Sequence, residues 1–151
     1  MSEDLISPPS EKHRVLFACM GNTCRSVMAE FIARKKLGGV LEVSSAGFCP
    51  QAPQDAENAI HTLRVVFDID ASGHEPRNIR LIGIESFDIV VAMDRWIARR
   101  IRDVFPAYPV ERLVIWQIDD PYGDDDLTDY LRCAQAISVQ LKKLPVRLGN
   151  P

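Results

Sequence analysis

Two cysteines, an arginine and a serine lie close together in the stretch CMGNTCRS, which runs from Cys19 to Ser26. An apolar run with the length of a buried strand precedes it, and a helix-like pattern follows it. A strand, a glycine-bearing loop and a helix N-terminus form an anion cradle, because loop amides turn inward and the helix dipole adds partial positive charge. Arg25 adds a planar fork that matches two phosphate oxygens.

The same cradle favours a thiolate, so Cys19 is expected to be nucleophilic near neutral pH. A thiolate at the base of an anion site predicts attack on phosphorus and a phosphocysteine intermediate. Asn22 suits a tight cradle because asparagine tolerates a positive backbone φ. Six loop residues form the expected phosphate site: Met20, Gly21, Asn22, Thr23, Cys24 and Arg25.

The elements that must position this loop alternate along the chain. Strands are predicted at residues 14–19, 40–47, 87–93 and 111–118. Helices are predicted from Ser26, as cap, to the Gly38–Gly39 pair, and at residues 53–67, 94–105 and 127–144. This alternation predicts a single α/β domain of three layers, with a small parallel sheet of about four strands and helices on both faces, flavodoxin- or Rossmann-like.

The carboxyl ends of such strands form one edge of the sheet, and ligands bind beyond it. The loop after the first predicted strand lies at that edge. So do the segments SAG after the second strand, MDR after the third and DDPYG after the fourth. We therefore expect these four segments to border one site.

Length and composition fit one domain. The chain has 151 residues, 46% hydrophobic and 26% charged, with a net charge of −3, and this balance lacks the basic face typical of nucleic-acid binding. Residues 1–12 lack the basic start and apolar core of a signal peptide, so a disordered leader is expected before a domain over residues 13–151. No apolar run approaches the length of a membrane span, so no membrane partner and a cytoplasmic location are expected. A monomer is the simplest expectation.

Four cysteines occur in the chain: Cys19, Cys24, Cys49 and Cys133. In a reducing compartment they are expected to be free thiols, which favours a catalytic or redox role over a disulfide framework. The spacing from Cys19 to Cys24 is not that of a CxxC zinc motif, and no second ligand pair supports it. Neither a metal nor another cofactor is expected.

The stretch CMGNTCRS resembles the Cys-x-Gly-Asn-x-Cys-Arg-Ser signature of low-molecular-weight protein tyrosine phosphatases. The similarity continues through MAE, SSAG, GHEPR, AMDR and DPYG in the family's order, and it covers about residues 13–146. The resemblance implies a phosphatase that hydrolyses phosphotyrosine in proteins and binds phosphate or a similar oxyanion.

The resemblance also implies the catalytic roles, position by position. Cys19 would be the nucleophile, and Arg25 would bind the phosphate and the transition state. Asp120, directly before Pro121, would protonate the leaving oxygen and then activate water to hydrolyse phosphocysteine. Asp119 is adjacent, but Asp120 is preferred because the family's acid directly precedes the proline.

Further residues would support the site, again by resemblance. Ser26 would donate a hydrogen bond to the thiolate. Asn22, Ser45 and His74 would form the network that holds the loop. Tyr122 would form one wall of the substrate cleft.

Three departures from the family's pattern bear on substrate. Thr23 occupies a position where tyrosine-directed members often carry an aliphatic residue, whereas the related protein arginine phosphatases carry threonine. The stretch SAGFCPQAP lacks the Trp-His-x-Gly sequence of many tyrosine-directed members, and Phe48 is the expected aromatic wall in its place. Val27 replaces the usual proline at the start of the helix. A protein arginine phosphatase is therefore the first alternative, with Thr23 bordering the cleft.

The three cysteines other than Cys19 decide which redox reactions are expected at this loop. Cys24 either forms a reversible disulfide with Cys19 against peroxide, as the resemblance implies, or is a passive small residue. A thiol-dependent arsenate reductase is disfavoured because relatives with that activity carry a further downstream cysteine pair, whereas Cys49 and Cys133 show no partner spacing. A non-enzymatic phosphate-binding module is disfavoured because every expected catalytic residue is present.

Overall fold

The computed structural model describes residues 12–121 and 127–144 of the chain. Its elements within these ranges are the strands β1 (His13–Cys19), β2 (Leu41–Gly47), β3 (Ile89–Ala92) and β4 (Leu113–Ile115), and the helices α1 (Arg25–Leu37), α2 (Glu57–Phe67), α3 (Arg95–Val104) and α4 (Thr128–Leu141). The expected leader, up to residue 11, and Tyr122 lie outside the described residues. No helix within these ranges combines the length and the apolar character needed to cross a bilayer.

The strands form one parallel sheet in the order β2-β1-β3-β4. Strand β1 is central: Val15 pairs with Val43 on one side and with Ile89 on the other. The chain passes from β1 outward to β2 and then back across β1 to β3, so the direction of winding reverses at β1. Ligands bind at such a switch point beyond the carboxyl ends of the strands. Cys19, the last residue of β1, lies at this point.

The side chains of β1 alternate between two cores. Val15, Phe17 and Cys19 pack in a core with α1, α2 and α4. Leu16 and Ala18 pack on the opposite face, in a core that includes α3. Both faces of the sheet are therefore covered by helices, and the predicted single α/β domain with a small parallel sheet is confirmed.

Three strands are shorter than predicted, and β2 differs only in starting at Leu41. Of the strand predicted at residues 87–93, the structure forms only Ile89–Ala92, which is β3. Of the strand predicted at residues 111–118, it forms only Leu113–Ile115, which is β4. Among the described strands, β4 lies at the edge of the sheet and pairs with β3 alone, and their last register pair is Ala92–Ile115. A 3-10 helix at Val110–Arg112 occupies the start of the predicted strand.

Two helix starts also differ from the prediction. Helix α1 begins at Arg25 with Cys24 as the N-cap residue, so Ser26 is not the cap. The Ser26 hydroxyl is instead used in the loop that precedes the helix. The helix predicted from residue 53 opens with a 3-10 turn at Pro53–Ala56, and the α-helical part follows.

Candidate active site

The loop between β1 and α1 is held by its carbonyl oxygens. The carbonyls of residues 19–21 accept backbone amides from residues 48–51 at 2.8 to 3.3 Å. The ring of His74 donates through Nε2 to the Asn22 carbonyl oxygen at 2.8 Å. Carbonyls that turn outward in succession leave the amides of the loop directed inward, which is the arrangement of an anion nest. The backbone pairs are Phe48 to Cys19, Cys49 to Met20 and Gln51 to Gly21.

Two backbone positions make this loop possible. Asn22 has a φ of 55°, in the left-handed region, and is fully buried. Asparagine adopts this region more readily than most side chains. Gly47 ends β2 against the loop, where a Cβ atom would lie 2.4 Å from the Met20 carbonyl oxygen. Any side chain at position 47 would therefore push the loop away from the sheet.

A directed chain of hydrogen bonds leads to the Cys19 sulfur. The Arg77 amide donates to Asn22 Oδ1 at 2.8 Å, which leaves Asn22 Nδ2 on the opposite side. Nδ2 donates to Ser26 Oγ and to Ser45 Oγ, each at 2.9 Å. Because Ser26 Oγ accepts from Asn22, its own proton is free for Cys19 Sγ, 2.7 Å away. A hydroxyl that donates to sulfur stabilises a thiolate.

Glu30 anchors the other end of this chain within α1. The Ser45 hydroxyl donates to Glu30, whose carboxylate also pairs with Arg34. Glu30 is 7% exposed, and a carboxylate so buried needs such partners. No role for Glu30 was predicted from the sequence, although the MAE segment contains it.

Arg25 is fixed at the side of the loop by three oxygen partners. Its Nη1 donates to Asp94 Oδ2 at 2.8 Å and to the Ile118 carbonyl oxygen at 2.9 Å. Its Nε lies 3.7 Å from Asp120 Oδ1. Burial alone lowers the pKa of Arg25, but the hydrogen bond to Asp94 and the charges of Asp120 and Cys19 outweigh it and raise that pKa. The guanidinium is therefore held charged and oriented.

Asp94 serves two elements at once. Its Oδ1 accepts from the Ile97 amide at 2.8 Å, as the N-cap of α3, while its Oδ2 accepts from Arg25. Burial raises the pKa of Asp94, but the hydrogen bonds from Arg25 and from the Ile97 amide outweigh it, and the pKa is lowered. The cap was predicted from sequence. The contact with Arg25 was not, although the position of MDR at the sheet edge was a signal for it.

Replacing Asp94 separates these two functions. Asp94→Asn keeps a cap acceptor but loses the charge, so we expect kcat/KM for an aryl phosphate to fall about tenfold. The carboxylate has a lowered folded pKa, so its stabilisation is present above its unfolded pKa of about 3.9 and is lost as pH falls through the folded pKa. The difference in unfolding free energy between wild type and Asp94→Asn should therefore shrink in acid. Urea unfolding at pH 7 and pH 3 measures it.

Asp94→Ala is the matched variant because it removes the cap as well. We expect it to unfold about 1 kcal/mol more easily than Asp94→Asn. Equal unfolding free energies for the two variants would contradict the cap. Wild-type kcat/KM in both would contradict the positioning of Arg25.

Cys19, Arg25 and Asp120 border one cavity of about 170 Å³. Cys19 is 3% exposed and lies at its base, whereas the Asp120 side chain is 44% exposed. Asp119 lines two neighbouring cavities but not this one. A deep thiol, a guanidinium and an accessible carboxyl group together can carry out displacement at phosphorus with proton transfer. The remaining lining residues are Met20, Gly21, Thr23, Cys24 and Gln51.

Phe48 does not lie on the cleft wall that was predicted for it. It is 2% exposed and belongs to the core on the α3 side of the sheet. The guanidinium groups of Arg80 and Arg100 lie 5.4 and 5.1 Å from its ring centroid. The structure therefore places Phe48 beneath the surface. Tyr122, the other expected wall, falls outside the described residues.

The cysteine next to Arg25 has a thiol partner that the sequence did not reveal. The Cys24 thiol lies beside the Cys133 thiol, and the interaction between them together with burial raises the pKa of Cys24. Helix α4 supplies both Cys133 and Tyr130 to Cys24, at the interface where α1 packs against α4. The spacing of Cys133 in the sequence does not indicate this neighbour. Cys49 is exposed.

Comparisons with known proteins place the whole described domain in a family. Residues 14–150 match the family model of the low molecular weight phosphotyrosine protein phosphatases. The solved low molecular weight protein tyrosine phosphatase from T. tengcongensis is 32% identical, with a TM-score of 0.80 over 90% of this chain and 99% of that one. The YwlE arginine phosphatase from Geobacillus stearothermophilus is 26% identical, with a TM-score of 0.79 over 91% and 93%.

A curated relative carries a different activity in its name. Arsenate reductase 1 of Bacillus cereus is 33% identical over 133 residues, which span 87% of this chain and 93% of the relative. Phosphatases and an arsenate reductase are thus among the proteins to which this chain is similar. The family model, which spans nearly the whole chain, decides the classification: the chain belongs to the low molecular weight phosphotyrosine protein phosphatase family and is a phosphatase.

Proposed function

We propose that the protein hydrolyses phosphotyrosine in protein substrates through a phosphocysteine intermediate. The observation that carries this proposal is the shared cavity of about 170 Å³ bordered by Cys19, Arg25 and Asp120. We propose the cytoplasm as its location, where the free thiols of Cys19 and Cys24 would stay reduced.

In the first step, the loop amides and Arg25 bind the phosphate oxygens. The Cys19 thiolate attacks phosphorus, and the bond from phosphorus to the phenolic oxygen breaks. Asp120, at the mouth of the cavity, donates its proton to the departing oxygen. Arg25 holds the equatorial oxygens, where charge accumulates in the transition state.

In the second step, water hydrolyses the phosphocysteine. Asp120, now ionised, accepts a proton from that water, and phosphate leaves. The Cys19 thiolate is restored and accepts the Ser26 hydrogen bond again. The same hydrogen bond makes Cys19 a better leaving group in this step, since it stabilises the thiolate that departs.

The depth of the nucleophile favours a long substrate side chain. Cys19 is 3% exposed, so phosphorus must be carried to the base of the cavity. Phosphotyrosine and phosphoarginine have the length for this, whereas phosphoserine and phosphothreonine place phosphorus close to the backbone. The similarity to an arginine phosphatase supports phosphoarginine as the alternative substrate.

The test is kcat/KM on matched phosphotyrosine and phosphoarginine peptides, with acid quench of the enzyme during turnover. The proposal expects turnover of phosphotyrosine and a phosphate group on Cys19 in the quenched protein. A preference for phosphoarginine would keep the mechanism and select the alternative substrate. Turnover of neither peptide would overturn the proposal.

A second candidate is the thiol-dependent reduction of arsenate. It is favoured by the identity to an arsenate reductase and by the contact of Cys24 with Cys133. Cys19 would bond to arsenic(V) with loss of water. Cys24 would then attack the Cys19 sulfur, so that the electron pair of the sulfur–arsenic bond remains with arsenic and arsenite leaves. Cys133 would attack Cys24 and release Cys19, and an external dithiol would reduce the final disulfide.

This candidate predicts the position of a disulfide. After one turnover of arsenate without reductant, peptide mapping should find Cys24 joined to Cys133 in the wild type. In Cys133→Ser it should find Cys19 joined to Cys24, and phosphatase activity should stay within about twofold because Cys133 lies outside the phosphate cavity. Cys49→Ser is the control and should behave as wild type. Absence of arsenite release would eliminate the candidate.

A further inference from the structure

Gln51 lies against the phosphate loop through its backbone and its side chain. Its amide donates to the Gly21 carbonyl oxygen at 3.0 Å. Its carboxamide folds over Gly21, where a Cβ atom would lie 2.5 Å from Gln51 Oε1 and 2.7 Å from Cδ. Gln51 thereby borders the same cavity as Cys19. It has no task in the two chemical steps of the proposed hydrolysis.

The carboxamide of Gln51 engages a second loop residue. The Thr23 hydroxyl donates to Gln51 Oε1 at 2.5 Å. A hydroxyl has one proton and two acceptor sites. Because its proton is committed to Gln51, Thr23 Oγ1 can act only as an acceptor for a group that enters the cavity that Thr23 lines. Thr23 is 5% exposed, so bulk water is a poor substitute for such a partner.

We infer that Gln51 is a specificity-determining residue: by accepting the hydrogen bond from the Thr23 hydroxyl, it fixes that hydroxyl with its acceptor sites available to substrates that carry N–H donors beside the transferred phosphorus. Phosphoguanidines, such as phosphoarginine, carry such donors. In aryl phosphates the atoms beside the transferred phosphorus are an ether-like oxygen and the ring carbons, which carry no N–H donor. Gln51 therefore raises turnover of phosphoarginine relative to phosphotyrosine. This inference rests on the proposed phosphatase activity.

Without the Gln51 carboxamide, the Thr23 hydroxyl would lose the acceptor for its hydrogen bond. The hydroxyl could then rotate and donate to a phosphate oxygen, which both substrate classes possess. The acceptor sites of Thr23 Oγ1 would no longer be held toward an N–H donor, so the hydrogen bond that distinguishes the two substrates would weaken, while both would still bind through the phosphate group. Discrimination by a hydrogen bond that only one substrate can form is larger than discrimination by shape alone.

Two variants of nearly equal length test the inference. Gln51→Met removes the acceptor, and we expect the ratio of kcat/KM for phosphoarginine over phosphotyrosine peptides to fall about tenfold. Gln51→Glu keeps an acceptor for the Thr23 proton, and its ratio should stay at or above the wild-type value. Thr23→Val should lower the ratio as Gln51→Met does, and the double variant should lower it no further, because both changes remove one interaction.

Turnover of 4-nitrophenyl phosphate separates the role of Gln51 from the phosphatase activity itself. If the wild type hydrolyses this probe and the ratio is unchanged in Gln51→Met, the inference is overturned and the phosphatase proposal stands. Wild-type enzyme without phosphoarginine turnover overturns it as well. If the wild type hydrolyses neither the probe nor either peptide, the proposed function fails and the inference fails with it. Gln51 is exposed, and unchanged thermal midpoints would show that the variants are folded.

Discussion

Replacing Cys19 with serine is expected to lower kcat/KM for every phosphate ester by at least about 10⁴-fold. A serine hydroxyl at this position stays protonated near neutral pH, because an alcohol is a far weaker acid than a thiol. The Ser26 hydroxyl that donates to Cys19 Sγ at 2.7 Å would then face another hydroxyl. Steady-state kinetics with 4-nitrophenyl phosphate measures the loss, and calorimetry with phosphate measures binding.

Phosphate binding should survive this change, since Arg25 and the loop amides remain. Cys49→Ser is the matched control, because that thiol is exposed and outside the cavity. It should retain wild-type kcat/KM. Equal losses in both variants would show that a general effect of the substitution, and not loss of the nucleophile, explains the result.

Replacing Asp120 with asparagine is expected to lower kcat/KM by about 10²- to 10³-fold for substrates with strongly basic leaving groups. An asparagine side chain fills the same space but cannot donate a proton to a leaving oxygen. The loss should be smaller for activated aryl phosphates, whose phenolate leaves without protonation. A plot of log kcat/KM against the pKa of the leaving phenol should therefore be steeper for Asp120→Asn than for the wild type.

Asp119→Asn provides the control at the neighbouring position. Asp119 does not line the cavity that holds Cys19, so its replacement should leave kcat/KM within about twofold of wild type. The reverse result, with a steeper plot for Asp119→Asn, would assign the acid to the other carboxylate. Parallel plots for the wild type and both variants would show that neither Asp119 nor Asp120 protonates the leaving group.

The fold could be predicted because its signals are local. Apolar runs of strand length alternate with amphipathic stretches, and this pattern implies a covered parallel sheet. Strand ends could not be predicted to the residue, because pairing with a neighbour sets them: the last residue of β4, Ile115, pairs with the last residue of β3, Ala92. The prediction that Ser26 caps α1 was wrong for a related reason, since the structure has Cys24 as the N-cap residue. The Ser26 hydroxyl has a stronger use beside Cys19 than at the helix end.

The candidate site could be predicted where residues share one loop. Cys19, Asn22 and Arg25 follow each other within the signature, so their proximity is a property of the sequence. Of the partners that come from distant segments, Ser45, His74 and Asp120 were expected only through the family resemblance, and two others were missed. Asp94 reaches Arg25 across 69 positions, and Gln51 reaches Thr23 across 28. Contacts of this kind follow from the order of the strands, which the sequence does not state.

The central position of β1 also governs how the enzyme loses activity. Residues 15–18 of β1 are fully buried and paired on both sides, so their amides should exchange hydrogen with solvent only when the whole sheet opens. Cys19 continues this strand directly. The nucleophile is therefore attached to a segment whose amides are expected to exchange slowly. A destabilising substitution in a remote core would reduce the number of active molecules without changing the turnover rate of each folded one.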